Sequence, residues 1–225
     1  MPDLATAQEA QPRPSQLAYR RFKEALFAKR IRAGSTVSQA DLVAVTGVPI
    51  TPLREALQLL EAEGLVRILP RAGIQIAKPD LALVRNSYQL RQFLEVPAIR
   101  RAAEAMPKPL MQALESRHEA LLAQLPGLEI TTETAEQATA VDMGFHLAII
   151  DFLGNPLLDR AYRQAHDHIR LIRLDQFYML SAAAIGRTMR EHLAIIRACL
   201  ARDPDTAAAA LELHFAMAMQ RALGL

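Results

Sequence analysis

The chain has 225 residues, a length that allows one or two domains, and about half of its residues are hydrophobic. Its 26 Lys and Arg residues against 24 Asp and Glu give a net charge of +2, and no apolar run approaches the ~20 residues that a membrane-spanning helix needs. The N-terminus lacks the basic start and apolar core of a secretory signal, so we expect a cytoplasmic protein without a membrane partner.

The N-terminal region begins with two predicted helices. Gln, Pro and Ala dominate residues 1–14, a composition typical of a disordered arm. A first helix is predicted over residues 15–30, with apolar residues that face a small core, namely Leu17, Phe22, Leu26 and Phe27. A second helix is expected to begin at Ser38 as its N-cap, with Asp41 near its positive end. It ends in the short turn Thr46-Gly47-Val48, which is typical of a helix-turn-helix motif.

The third predicted helix is the most informative element of the chain. Thr51 is expected to cap it, and Pro52 fits its first turn, where the missing N–H of a proline would be unpaired anyway. Three leucines recur at helical spacing and would dock on the preceding helix, namely Leu53, Leu57 and Leu60. Thr51, Arg54 and Gln58 remain for the opposite face, and Gly64 ends the helix.

Two short strands are predicted directly after this helix. The runs of residues 65–69 and 74–76 are mostly apolar and contain β-branched side chains, with one polar residue in each. Pro70-Arg71-Ala72-Gly73 forms the turn between them. The pattern therefore predicts a two-stranded wing with a basic tip.

A helix-turn-helix followed by a wing is typical of a DNA-reading module. Thr51 and Arg54 are the candidates for the groove-facing surface, and Arg71 and Gly73 are the candidates for wing contacts with the DNA backbone or minor groove. Residues 1–79 contain eleven Lys and Arg against seven Asp and Glu, a net charge of +4, as binding to phosphates would favour. The alternative is that three helices and a hairpin form a protein-binding winged domain.

The third helix also carries a longer motif with a known counterpart. The residues of this motif are Thr51, Pro52, Arg54, Glu55, Ala56, Leu57, Leu60, Glu61, Gly64, Leu65 and Val66. With them, residues 15–79 resemble the winged-helix domain of the GntR family of bacterial transcription regulators. The resemblance implies binding to double-stranded operator DNA. Pro49-Ile50 stands where most family members carry Ser-Arg, so one arginine that usually touches DNA is missing.

After Pro79 the sequence changes to continuous amphipathic helix without a strand pattern. The predicted fold class is therefore mainly α, with an N-terminal winged helix-turn-helix over residues 15–79 and an all-α six-helix bundle over residues 80–225. The six predicted helices span residues 81–105, 109–124, 132–152, 156–179, 188–201 and 204–222. Asn155 and Asp203, each followed by a proline, are expected as helix caps, and Thr188 with Glu191 has the form of a capping box.

Four residues of this bundle are candidates for a metal site. Asp142 and His146 are four residues apart, so their side chains lie on one face of one helix. His192 and His214 have apolar neighbours, and an imidazole in an apolar bundle needs a partner. Three neutral imidazoles and one carboxylate suit zinc, nickel, manganese or iron. The alternative is that each histidine is separately buried or half exposed with a backbone carbonyl as its partner.

The C-terminal region also resembles a known domain. The residues that carry the resemblance are Arg91 and Glu95, Asp142 and His146, Glu191 and His192, and His214, with Phe145 and the Gly154-Asn155 break. They are similar to the signature of the helical effector domain of the FadR-type branch of the GntR family, called the FCD domain. The resemblance implies a divalent metal at the base of a cavity, held by Asp142, His146, His192 and His214. A small carboxylate effector often completes the coordination in that family.

Other polar residues of the bundle allow more than one interpretation. Arg91 is the candidate for the carboxylate of the effector, because its planar guanidinium suits bidentate pairing. The alternative is an Arg91–Glu95 pair on a solvated face. On the fourth bundle helix, a solvated or dimer-facing stripe is predicted for six polar residues, and the alternative is that they line the effector pocket. These residues are Tyr162, Arg163, His166, His168, Arg170 and Arg173. His118 lies among charged residues and is expected at the surface.

Two classes of function fit these features. The first is a ligand-responsive transcription regulator that binds near-palindromic operator DNA as a homodimer and senses a small carboxylate through its metal-containing bundle. The second is a helical-bundle metalloenzyme in which the same Asp and His residues activate water. The enzyme interpretation leaves the helix-turn-helix unexplained and offers no His-Glu-x-x-His motif, so the sequence favours the regulator.

Overall fold

In the computed structural model, which describes residues 13–127, 130–176 and 181–224, twelve helices and strands follow one another. Those of the N-terminal part are α1 Pro14–Phe27, β1 Thr36–Val37, α2 Gln39–Thr46, α3 Ile50–Ala62, β2 Val66–Leu69 and β3 Gly73–Ile76. Those of the C-terminal part are α4 Leu81–Ala105, α5 Lys108–Gln124, α6 Thr132–Phe152, α7 Pro156–Gln176, α8 Ala182–Leu200 and α9 Pro204–Leu223. The predicted fold class, mainly α with a winged helix-turn-helix and a helical bundle, is confirmed. None of the helices in the described ranges combines the length and hydropathy of a membrane span.

The chain divides into two compact units, Met1–Lys78 and Pro79–Leu225. In the first unit, Ser38 caps α2 and exchanges hydrogen bonds with Asp41, as the sequence predicts. Gly47 follows α2 with a φ of +63°, and this left-handed residue makes the turn into α3. The core of this unit consists of large apolar side chains that are almost fully buried, including Phe22, Leu26, Leu42, Leu53, Leu57, Leu60, Leu65, Ile74 and Ile76.

The wing differs from its prediction because it has three strands. β3 pairs with β2 and with β1 in an antiparallel sheet of order β1-β3-β2. Leu69 is opposite Gly73 at the turn, and Thr36 is opposite Gln75. β1 has two residues, too few for an alternating pattern to show in the sequence.

Two predicted helix ends in the first unit are also wrong. α3 begins at Ile50 after Pro49, so Thr51 lies inside the first turn and does not cap the helix. α1 ends at Phe27, three residues before its predicted end, and Lys29 adopts a left-handed φ of +59° that a helix does not tolerate. Of the predicted disordered arm, residues 1–12 lie outside the described residues.

In the second unit, α4 is the central helix and packs on α6, α7, α8 and α9. α8 packs on α5 and α9, which completes the six-helix bundle. Asn155 accepts hydrogen bonds from the first amides of α7, and Asp203 caps α9, as predicted. The predicted residues 177–179 of the fourth bundle helix lie outside the described residues.

The predicted start of α8 is wrong by six residues. Ser181 caps this helix by accepting a hydrogen bond from the Ala184 amide. Thr188 lies within the helix, and its hydroxyl donates to the Ala184 carbonyl. Glu191 is therefore no capping-box partner of Thr188, and its carboxylate binds His214 and Arg221 instead.

Candidate functional site

Three histidines meet inside the second unit. His146 on α6, His192 on α8 and His214 on α9 are almost fully buried, and one ring nitrogen of each lies within 4.8 Å of the others. The Nε2 atoms of His192 and His214 are 3.3 Å apart. Two nitrogens bound to one ion at ~2.1 Å in tetrahedral geometry would lie roughly 3.4 Å apart. The spacing therefore suits a shared cation.

Two of the three imidazole rings are hydrogen-bonded to carboxylates through their Nδ1 atoms. His146 Nδ1 lies 2.6 Å from Glu95 Oε2, and His214 Nδ1 lies 2.7 Å from Glu191 Oε2. Because an ionised carboxylate only accepts hydrogen bonds, each Nδ1 carries the proton and each Nε2 keeps its lone pair. Carboxylate–histidine pairs of this kind orient the ligands in many metal sites. The sequence placed Glu95 in a possible surface pair and Glu191 in a helix cap, so it missed both of these contacts.

Asp142 lies on the same face of α6 as His146. One of its oxygens pairs with Arg173, and the other, Oδ1, lies 3.6 Å from His192 Nε2. Asp142 Oδ1 and His146 Nε2 are buried without a hydrogen-bond partner in the described residues. Buried polar atoms without partners are rare in native proteins. Both of these atoms face the point where the histidines converge, and a cation there would satisfy them.

Burial keeps the imidazoles of His146 and His192 neutral. It holds the pKa of His146 well below its usual range, with a further effect of the nearby Arg91 charge. Burial and the two neighbouring imidazoles do the same to the pKa of His192. Burial acts to raise the pKa of the Asp142 carboxyl, but Arg173 and the imidazoles hold it well below its usual value. Neutral imidazoles and an ionised carboxylate are the forms that bind a metal.

The predicted surface position of His118 is wrong. Its side chain is fully buried on α5, and His118 Nε2 lies 3.1 Å from His192 Nδ1. The sequence contained a signal for this position, because Leu114, His118 and Leu121 recur on one helical face and all three are buried. The charged neighbours of His118 along the chain obscured that signal.

Arg91 is buried, so the alternative of a solvated Arg91–Glu95 pair is wrong. Its Nε donates to Glu95 Oε1 at 2.6 Å, and the guanidinium lies 4.8 Å from the Phe215 ring centroid. The Tyr88 ring centroid lies 6.0 Å from the guanidinium carbon. Both aromatic rings also line a cavity of about 400 Å³ between α4 and α9.

The predicted solvated stripe on α7 is wrong for two of its members. Tyr162 is fully buried, and Arg173 pairs with Asp142 inside the bundle. Burial and three arginine charges lower the pKa of His166 to about 3. Three buried polar atoms near these residues have no hydrogen-bond partner in the described ranges, namely Ser87 Oγ, Tyr162 Oη and His166 Nε2. They give the region beside the histidine cluster a polar lining.

The predicted DNA-contacting side chains lie at the surface of the first unit. Thr51, Arg54 and Gln58 are all exposed along one face of α3. Arg54 Nε donates to Gln39 Oε1 at 2.9 Å, a contact between the two helices of the motif. Ile50, where most family members carry an arginine, is 43% exposed at the start of α3. Thr51, Arg54 and Gln58 thus give this face polar side chains, whereas Ile50 and Leu59 are exposed apolar residues of the same helix.

The wing residues differ in their structural roles. Arg71 is exposed in the β2–β3 turn with a left-handed φ of +64°. Gly73 has a φ of +106°, and a Cβ atom at this position would lie 2.6 Å from the Val37 carbonyl oxygen. The close approach of β1 thus requires glycine at this position, independently of any contact with DNA.

Comparisons with known proteins cover both units. The family model for bacterial regulatory proteins of the gntR family matches residues 14–76, and the FCD domain matches residues 86–217. The chain is 25% identical over 201 residues to the HTH-type transcriptional repressor RspR of Escherichia coli, which covers 89% of this chain and 85% of that protein. It is 26% identical over 214 residues to the HTH-type transcriptional repressor NanR of Klebsiella aerogenes, with 85% and 78% covered.

Solved structures share the fold. The structure of E. coli McbR/YncC matches with a TM-score of 0.78 at 18% sequence identity, over 94% of this chain and 97% of that one. The FCD match alone extends over more than half of the sequence, and the gntR match accounts for most of the first unit. The chain therefore belongs to the gntR family of bacterial regulatory proteins and is a transcriptional regulator with a C-terminal FCD domain.

Proposed function

We propose that this regulator binds operator DNA as a homodimer through its first unit and senses a small carboxylate at a divalent metal ion in its second unit. The observation that carries the sensing part is the histidine cluster. One ring nitrogen of each of the three buried histidines converges on one point, and the unpartnered Oδ1 of Asp142 lies 3.6 Å from the Nε2 of His192. A cation at this point satisfies all of them.

The proposed ligands are Asp142, His146, His192 and His214. The ion would be zinc, nickel, manganese or iron, since imidazole and carboxylate ligands suit each of them. When bound, it would act as a Lewis acid with positions open to water or to a carboxylate oxygen. Glu95 and Glu191 keep the Nε2 atoms of two ligands directed at the site.

A charge balance supports an anionic effector. The three carboxylates of the cluster are each paired with an arginine, in the pairs Arg91–Glu95, Arg173–Asp142 and Arg221–Glu191. The protein groups are then neutral as a set, and a divalent cation would leave a buried positive charge. A bound carboxylate reduces this charge, and desolvation favours such compensation in a buried site.

Two arginines are the proposed partners of the effector. Arg91 is fixed by Glu95 and lies near the Phe215 and Tyr88 rings, which line the cavity between α4 and α9. The side chain of Arg173 is 28% exposed, and it is bound to Asp142 through one guanidinium nitrogen. Its remaining donors can pair with a carboxylate at the metal. The unpartnered hydroxyls of Ser87 and Tyr162 would bind further oxygen atoms of the ligand.

The effector proposal predicts a specific loss in one variant. Arg173→Gln is expected to abolish the rise in melting temperature that a small carboxylate gives to the metal-loaded protein, while the rise caused by metal alone persists. Thermal unfolding with acetate, lactate, malonate and citrate as probes measures both effects. Arg163→Gln is the matched control, because Arg163 lies on the same helix in exposed pairs with Asp151 and Asp159. Equal carboxylate responses in both variants would contradict the role of Arg173.

Surface composition supports a homodimer. Phe93 is 70% exposed and Leu90 is 40% exposed, one helical turn apart on α4. Large apolar residues next to each other at the surface are typical of an interaction site. Two chains would place two copies of α3 about one DNA turn apart, and a near-palindromic operator matches that symmetry.

An enzymatic role for the cluster has less support. Hydrolysis at a metal needs a carboxylate or imidazole placed as a general base for the bound water. In the described residues, the carboxylates nearest the histidines are Glu95, Asp142 and Glu191, and all three are held by an arginine. Burial acts to raise the pKa of Glu191, but hydrogen bonds from His214 and Arg221 lower it to about 2. The Glu191 carboxylate is therefore a weak base.

Selection from a pool of randomised DNA duplexes tests the regulator proposal. The purified chain is expected to enrich a near-palindrome with half-sites about 10 base pairs apart, and sedimentation should give two chains per duplex. A pool carried through the same cycles without protein is the control. No enriched sequence, or a single chain per duplex, would contradict the proposal.

A further inference from the structure

A chain of buried hydrogen bonds leads from a backbone carbonyl to one of the proposed metal ligands. His118 Nδ1 lies 2.7 Å from the Leu114 carbonyl oxygen, and His118 Nε2 lies 3.1 Å from His192 Nδ1. The His118 side chain is fully buried, and its ring makes an edge contact with Phe145 at a centroid distance of 5.8 Å. The imidazole is therefore fixed on both of its nitrogens.

The direction of these hydrogen bonds follows from the carbonyl. A carbonyl oxygen only accepts, so the proton of His118 is on Nδ1, and the Nε2 of the neutral ring accepts. His192 must then carry its proton on Nδ1 and donate it to His118. This tautomer leaves the lone pair of His192 on Nε2, the atom that lies 3.6 Å from Asp142 Oδ1 and 3.3 Å from His214 Nε2.

We propose that His118 is a positioning residue for the metal centre, which selects the tautomer and the ring orientation of His192. This inference rests on the proposed function of the histidine cluster. His146 and His214 are oriented by carboxylates, whereas His192 is oriented by a neutral imidazole. The cluster thus has three oriented imidazoles, of which only two are hydrogen-bonded to a carboxylate. Outer partners of metal-bound histidines contribute to affinity because they fix ring orientation and basicity.

The space around His118 allows a test by substitution. A cavity of about 170 Å³ adjoins the ring and is lined in part by Arg117, Val141 and Gly144. It leaves room for the larger ring of His118→Phe, which cannot accept a hydrogen bond from His192. His118→Gln keeps an acceptor oxygen at about the reach of Nε2 and serves as the conservative variant.

The experiment measures binding of Ni²⁺ alone to the full chain, by calorimetry in competition with a chelator. His118→Phe is expected to weaken binding by roughly 10–100-fold, and His118→Gln should restore it to within a few fold. The visible absorption spectrum of the Co²⁺ complex should change in the Phe variant and return in the Gln variant, because it reports the ligand geometry. His168→Phe is the control for a change of ring elsewhere in the bundle.

The outcomes separate this inference from the proposed function. If the unaltered chain binds Ni²⁺ and His118→Phe binds it equally well with an unchanged Co²⁺ spectrum, the role of His118 is overturned and the metal centre stands. If His118→Gln binds Ni²⁺ as weakly as His118→Phe does, and both variants melt without metal at the temperature of the unaltered chain, the loss of affinity does not come from the missing hydrogen-bond acceptor. The proposed role of His118 is then overturned. If the unaltered chain binds no metal, the metal centre and the role of His118 are both overturned.

Discussion

Replacing His192 by alanine is expected to lower the affinity of the chain for zinc, nickel or manganese by roughly 100-fold or more, because a ligand is lost outright and not only its outer partner. His192 is fully buried, and its ring nitrogens lie 3.1 Å from His118 Nε2, 3.3 Å from His214 Nε2 and 3.6 Å from Asp142 Oδ1. Calorimetry with the metal alone measures the change.

Thermal unfolding gives a second measure of the same loss. The four proposed ligands come from α6, α8 and α9, so a bound ion links three helices and stabilises only the folded bundle. At a metal concentration of 100 times Kd, binding contributes about 2.7 kcal/mol to the free energy of unfolding. A variant with 100-fold weaker binding would gain only about 0.4 kcal/mol at the same concentration. A chelator should lower the melting temperature of the unaltered chain towards that of the variant.

His168→Ala is the matched control, since it removes an imidazole from α7 that does not belong to the histidine cluster. The metal proposal fails if elemental analysis finds no bound metal and zinc, nickel and manganese all leave the melting curve unmoved. Asp142, His146, His192 and His214 would then be separately buried polar groups. The DNA-binding proposal would survive that result, because the first unit does not depend on the cluster.

Local signals predicted most helix boundaries. Ser38, Asn155 and Asp203 cap helices through contacts with amides two or three residues away, so their roles can be derived from neighbouring residues. β1 could not be found in this way, because its two residues pair with β3 nearly forty positions further along the chain. The start of α8 was missed because Thr188 and Glu191 form a good local pattern, whereas their actual partners are set by the helix and by tertiary packing.

The same distinction holds for the candidate site. Helical spacing put Asp142 and His146 on one face, apolar neighbours singled out His192 and His214, and the resemblance to the FCD domain joined all four into one metal site. The carboxylates that bind the proposed ligands could not be predicted. An Arg and a Glu four residues apart give the same sequence pattern on a solvated face as in a core. Only the packing of α4 against α6 brings Glu95 to His146. Polar residues that act through tertiary contacts carry little sequence signal of their own.

The second large effect is expected at the DNA-reading surface. Arg54→Ala should weaken binding to the selected operator by about 1–3 kcal/mol, if the guanidinium contacts a base through two hydrogen bonds. Arg54 is exposed, and its only hydrogen bond among the described residues is to Gln39, so the folded unit should tolerate the change. Arg71→Ala at the wing should weaken operator and unrelated DNA alike, because a contact with the phosphate backbone carries no sequence information.

Arg20→Ala provides the control for loss of one positive charge, because Arg20 lies exposed on α1 beside Glu24. Binding measured by fluorescence anisotropy that does not respond to Arg54→Ala or Arg71→Ala would refute the proposed DNA contacts.

A substitution at Ile50, where the family usually has an arginine, is expected to increase DNA affinity. Ile50 is exposed at the first turn of α3, so Ile50→Arg adds a cation at the recognition face without disturbing the core. Non-specific DNA binding should tighten, and the slope of log affinity against log salt should steepen by about one, as expected for one additional phosphate contact.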